Sequence, residues 1–150
     1  MKSTWLPVVA LLAFLGGHAR AAAADLSIAG GGYISGTPSQ TGGAVLLSSG
    51  ASIPALPIET QATLLAQISN QGGYAVTGEV RGLSGGGFGG AYVGAGIGIG
   101  NLSPDRHAGT VFTAFVGKPI APLTTFELRV YKATRDNGTT AGFLGVRFTF

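Results

Sequence analysis

Apolar and polar positions along this chain alternate with a period of two. Phe126, Leu128 and Val130 are interleaved with Thr125, Glu127, Arg129 and Tyr131; Val76, Gly78 and Val80 with Thr77, Glu79 and Arg81; and Ala62, Leu64, Ala66 and Ile68 with Gln61, Thr63, Gln67 and Ser69. Successive side chains on a strand point to opposite faces, so each segment predicts a strand with one greasy and one polar side. Gly and Thr, abundant after residue 24, depress helix propensity, and no stretch there sustains a 3.6-residue apolar period. Turn chemistry divides the chain into eight segments, at about 25–36, 42–52, 59–69, 74–84, 88–100, 110–119, 123–134 and 140–150. Their connections alternate in character: TPSQT, NQGG, NLSPDRHAG and RDNGT are polar, whereas IPALPI, GGG and IAP are short and uncharged. The pattern predicts an all-β, eight-stranded antiparallel up-and-down barrel whose two ends face different media.

Alternation alone does not say which face points inward. A soluble barrel buries its apolar face and wets the polar one, and a membrane barrel does the reverse. Charge separates the two cases. Only 10% of the residues are charged, against roughly 25–35% on a typical soluble surface, and the polar faces are mostly Ser, Thr, Gly, Gln and Tyr. Such faces suit an enclosed interior. The charges within strands fit there too: Glu79 and Arg81 share a face on the fourth segment, Glu127 and Arg129 share one on the seventh, and Arg147 lies on the inner face of the last. Opposite charges in a confined space persist when they are paired, so these five residues are expected to form ion pairs in the lumen. Strand lengths agree, since a tilted membrane strand needs about 9–11 residues.

The first 24 residues differ from the rest. Lys2 precedes an apolar run from Leu6 to Leu15 and then Ala21, Ala22, Ala23 and Ala24, the pattern of a secretory signal peptide. The run is too short for a spanning helix of about 20 residues, so residues 1–24 are expected to be removed, leaving a barrel of residues 25–150. Removal takes Lys2 and Arg20, and nine basic residues become seven against six acidic ones. The mature chain is near neutral with scattered cations, which argues against nucleic-acid binding. With no cysteine there are no disulfides or thiolate metal sites, and no cofactor is expected.

The last segment, GFLGVRFTF, carries Leu144, Val146, Phe148 and Phe150 on one face. It resembles the C-terminal strand of bacterial outer-membrane β-barrel proteins, and the glycine-rich GGAYVGAGIGIGNL is similar to strands of the same proteins. The group it resembles is the small eight-stranded barrels of the OmpA/OmpX type. That resemblance implies a Gram-negative outer-membrane location, contact with outer-membrane lipid, and recognition of Leu144, Val146, Phe148 and Phe150 by the barrel-assembly machinery as an assembly signal.

The remaining motifs are weak as chemistry. GGGFGG at 85–90 contains G-x-G-x-x-G, but a strand rather than a helix follows, so a tight turn is expected. Gly94, Gly96, Gly98 and Gly100 share a face with Tyr92 and leave interior room for Tyr and Arg side chains. Asn137-Gly138-Thr139 matches a glycosylation pattern but reads as a hairpin turn. His107, the one histidine after residue 24, is followed by Ala108 and Gly109 and so lacks the serine of the His-x-Ser pair found in outer-membrane deacylases; Ser103 lies upstream. Asp105, Arg106 and His107 are expected at a solvated loop tip. Arg106, His107 and Arg135 are the candidate loop contacts for lipopolysaccharide phosphates, which arginine can pair with bidentately. The expectation is a small non-porin barrel, not an enzyme, with a structural or envelope-integrity role. The alternatives are a secreted soluble barrel that binds a small lipid and a lipid-modifying outer-membrane enzyme.

Overall fold

A computed structural model describes residues 25–36, 39–52, 58–69, 71–83, 90–136 and 138–150. The expected signal peptide, most of IPALPI and of GGGFGG, and Asn137 lie outside these residues. Eight strands follow one another: β1 (Asp25–Ser35), β2 (Gln40–Ser52), β3 (Ile58–Ile68), β4 (Gly73–Leu83), β5 (Tyr92–Asn101), β6 (Gly109–Ala121), β7 (Thr124–Ala133) and β8 (Thr140–Thr149). Each pairs antiparallel with its sequence neighbours, and β8 returns to pair with β1 from Ser27↔Thr149 to Ser35↔Ala141, closing the barrel. Closure leaves no edge strand for another chain to extend. The eight expected segments coincide with these strands apart from their ends; β5, for instance, starts at Tyr92 rather than near 88.

The β1–β2, β3–β4, β5–β6 and β7–β8 connections share one end, here termed outer, and the remaining connections share the inner end. At the inner end the register of β6 and β7 shifts between Pro119 and Ala121, and Leu123 turns the chain with a φ of 59°. Outward positions carry the large apolar side chains, among them Ile28, Ile97, Ile99, Phe112, Phe126, Leu128, Val130, Leu144 and Phe148, all exposed. Glu79, Glu127, Arg129 and Arg147 are buried at inward positions, with Glu59 and Arg81 half-buried, whereas the strand residues Asp25, Lys118 and Lys132 are exposed.

The interior is not uniformly polar. Tyr33, Ala44, Leu46, Leu65, Ala75, Leu102, Val111, Tyr131, Ala133, Ala141 and Phe143 form an apolar layer from the middle of the barrel to its outer end, with Ala29 at its inner edge opposite Arg147. Ions and hydroxyls fill the inner half. Leu46, Leu65 and Phe143 therefore depart from the simple rule of polar residues inside, because a narrow barrel packs its lumen with side chains of either kind.

Small residues set how closely the closing strands approach. A Cβ at Gly31 would stand 2.1 Å from the Leu144 carbonyl oxygen across the β1–β8 seam, whereas one at Gly30 meets nothing within 4 Å. Gly31→Ala should therefore overpack the seam, at a cost of about 1–3 kcal/mol, and lower the yield of heat-modifiable folded barrel on gels. Gly30→Ala should fold like the wild type. Equal yields for the two variants would contradict the register assigned to the closing seam.

Candidate functional site

The inner half of the lumen is organised around two carboxylates that period-two strands aim inward. Glu127 on β7 and Glu79 on β4 are 0% and 2% exposed. Glu127 pairs with Arg129 two residues along the same strand. It also accepts from Arg147 Nη2 at 3.1 Å and from the Tyr92 hydroxyl at 2.5 Å. Arg147 Nε lies 3.0 Å from Glu127 Oε2, inside ion-pair range, but its N–H makes no hydrogen bond, so we assign the pair to the Nη2 contact. Glu79 takes Arg129 Nη1 at 2.6 Å from across the lumen, together with Gln61, Thr63 and Thr77. Arg147 Nη1 reaches Gln61 Oε1 at 3.1 Å and Ser27 Oγ at 3.3 Å. Strands β1, β3, β4, β5, β7 and β8 thus meet in one network.

The pairing differs from the expectation in one respect. Arg81 does not turn to Glu79, its neighbour on the same face; it pairs with Glu59 on the adjacent strand β3, its register partner, and its guanidinium also lies 5.0 Å from the Tyr92 ring centroid. Glu79 is thereby free for Arg129, whose guanidinium stacks 4.1 Å from the Phe115 ring. Glu59 had no place in the expected set, although it lies two residues before the inward Gln61. Three carboxylates, Glu59, Glu79 and Glu127, face three guanidiniums, Arg81, Arg129 and Arg147, and the lumen charge sums to zero.

Glycines on β5 make the space. A Cβ at Gly96 would lie 2.6 Å from Glu79 Cγ, and one at Gly94 would lie 2.2 Å from the Phe115 ring. The expected glycine column therefore accommodates a carboxylate and the aromatic ring under Arg129.

The outer mouth is capped by the β5–β6 connection. Leu102 and Ser103 are fully buried, and the Ser103 backbone donates to Gln67 Oε1 at 2.8 Å while its carbonyl accepts from Ser35 Oγ at 2.5 Å. Asp105 is buried as well, accepting the Thr139 hydroxyl at 2.6 Å, so only part of the expected solvated tip is solvated. Leu102, an apolar residue at the head of a polar loop, was the sequence signal for this cap. Arg106, His107 and Arg135 are exposed. Asp136, in the left-handed region at φ 55°, ties the loops together: it accepts the backbone N–H groups of His107 at 3.0 Å and Arg106 at 3.1 Å and faces His107 Nδ1 at 3.1 Å. The His107 N–H, then its ring, hold the Asp136 carboxyl below the usual carboxylate range. The Ser103 hydroxyl donates to Gln40 Oε1 at 2.6 Å, so neither serine nor histidine engages the other.

On β8, Leu144 and Phe148 point outward and exposed, with Val146 half-buried between them, while Phe143, Gly145 and Arg147 point inward; Phe150, just past the end of β8, is exposed as well.

This architecture occurs in solved structures. Neisserial surface protein A (NspA) superposes with a TM-score of 0.62 at 15% identity, over 85% of this chain and 97% of that one. Ail, the attachment invasion locus protein of Yersinia pestis, crystallised with the heparin analogue sucrose octasulfate, gives 0.52 at 13% identity over 86% and 100%. The chain has the fold of the small eight-stranded outer-membrane barrels. No family model and no curated protein sequence matches it.

Glu127 is the residue on which the network turns. Glu127→Ala would leave Arg129 and Arg147 buried without their shared partner, and it should destabilise the barrel by about 3–5 kcal/mol in reversible urea unfolding followed by gel mobility. A loss below about 1 kcal/mol, the range of exposed pairs, would mean that the inward face is wet.

Proposed function

We propose that residues 25–150 form a small non-porin barrel of the Gram-negative outer membrane with a structural or envelope-integrity role, exported by a signal peptide at residues 1–24. The carrying observation is the inverted polarity: an exposed belt of Ile, Val, Leu and Phe surrounds a lumen closed by paired charges. Soluble monomers rarely expose a continuous apolar patch beyond a few hundred Å², and a soluble lipid carrier would keep its apolar face inside. In lipid the arrangement is consistent, because every strand is paired and the greasy face meets acyl chains. A lumen whose inward strand side chains are buried favours a non-porin role.

The rim supports a surface contact. With the lumen neutral, the outer end presents Arg106, Lys132 and Arg135 against Asp105, buried on Thr139, and Asp136, bound by backbone N–H groups. We assign Arg106, His107 and Arg135 to contacts with lipopolysaccharide phosphates. The anionic sugar in the Ail structure is a chemical parallel for such a rim. Leu144, Val146, Phe148 and Phe150, which line the outside of β8, are assigned to recognition by the barrel-assembly machinery.

The experiment is expression in a Gram-negative host, with single cysteines introduced by Arg106→Cys and Leu123→Cys into this cysteine-free chain. The protein should fractionate with the outer membrane as a heat-modifiable band, and an impermeant maleimide on whole cells should label position 106 and spare 123. Recovery in the soluble periplasmic fraction, or labelling at 123 alone, would overturn the proposal or its orientation respectively.

A further inference from the structure

The lipid-facing wall of β5, β6 and β7 has a dip. Ala95 and Ala114 are register partners, and Ala114 in turn pairs with Val130. Here the surface sinks into an apolar groove of about 360 Å³, with Val93 on β5 and Leu128 and Val130 on β7 flanking Ala114 and Val116 on β6. Lipid tails are as apolar as these side chains, so the groove by itself confers no preference for one lipid over another.

Charge at its outer end supplies the preference. Lys132 lies two residues beyond Val130 on the same strand, hence on the same face and about 7 Å nearer the rim. Its ammonium is fixed by the Gly138 carbonyl at 2.6 Å and the Thr140 hydroxyl at 3.1 Å. With three donors on the group, one remains for an outside acceptor. Above it come Arg135, anchored to the Ala108 carbonyl at 3.1 Å, and Arg106, whose guanidinium makes no ion pair among the described residues. Asp136, the exposed acid beside them, already accepts two backbone N–H groups.

We propose that the groove seats one acyl chain of a lipopolysaccharide molecule, with a phosphate of the same molecule on Lys132 and further phosphates within reach of Arg135 and Arg106. Cations spread over a strand and two loops suit a head group bearing several phosphates, whereas a single phosphodiester would engage one of them. This rests on the membrane reading and the lipopolysaccharide contact proposed above and adds to them a defined site for one acyl chain, with Lys132 as its hinge between tail and head.

The test uses the barrel folded in zwitterionic detergent micelles, titrated with lipopolysaccharide and, separately, with an anionic phospholipid, and read by native mass spectrometry. Wild type should retain one lipopolysaccharide in preference to the phospholipid. Lys132→Gln should weaken retention about fivefold, the effect of one cation near an anionic head group, and Ala114→Phe, which fills the groove, should weaken it at least as much. Ala66→Phe, on the outward face of β3, should bind as wild type. Gel mobility confirms that each variant is folded. Wild-type retention by either Lys132→Gln or Ala114→Phe would overturn the site, as would equal retention of the phospholipid. A chain that folds only in water without detergent would instead defeat the membrane reading.

Discussion

A carboxylate sealed from solvent in a narrow barrel must be paired, and Glu127 is paired three ways, with Arg129, Arg147 and the Tyr92 hydroxyl. Much of the architecture depends on that requirement. Removing one member of such a group leaves the others buried and uncompensated, which costs far more than an exposed pair contributes. The network therefore acts less as a source of net stability than as a constraint on arrangement. With β4 facing β7 across the lumen and β8 beside β7, Glu79, Glu127, Arg129 and Arg147 are satisfied at once. The β1–β8 pairing that closes the barrel also brings Ser27 to Arg147.

With charge consumed inside, the outside is left to apolar side chains and the ends to loops. The near-neutral composition of residues 25–150 conceals this separation. Three carboxylates cancel three guanidiniums in the lumen, and the remaining cations collect mainly at the outer rim, where two acids are occupied by local hydrogen bonds. The barrel is thus electrically balanced within and basic at one rim. The cap formed by Leu102 and Ser103 fills the outer mouth with a buried turn held to β1, β2 and β3.

Strand number, strand faces and closure were legible in the sequence because period-two alternation reports directly on which side chains share a face. Phe126, Glu127, Leu128 and Arg129 illustrate it. What alternation does not report is who sits opposite across the lumen. Glu79 and Arg81 share a face, yet cross-strand register gives Arg81 to Glu59, and barrel geometry gives Glu79 to Arg129, fifty residues away. The apolar outer layer was hidden for a related reason: Leu46, Leu65 and Phe143 face inward among polar neighbours, and no local pattern marks an apolar residue as luminal. Asp105 was hidden because a loop's composition reports its solubility and not the fold-back that buries part of it. The position of Lys132, two residues beyond the Val130 wall of the Ala114 groove, follows only from the register that places β5, β6 and β7 side by side.

The inverted polarity of the wall can be tested on one strand. Spin labels attached through single cysteines at successive positions from Phe126 to Val130 on β7, with the barrel reconstituted in lipid vesicles, report oxygen and aqueous-relaxant accessibility residue by residue. A period of two is expected, with high oxygen and low aqueous accessibility at 126, 128 and 130 and immobilised labels at 127 and 129. Accessibility to the aqueous reagent at 126, 128 and 130 would contradict it, because the apolar face of β7 would then be facing water.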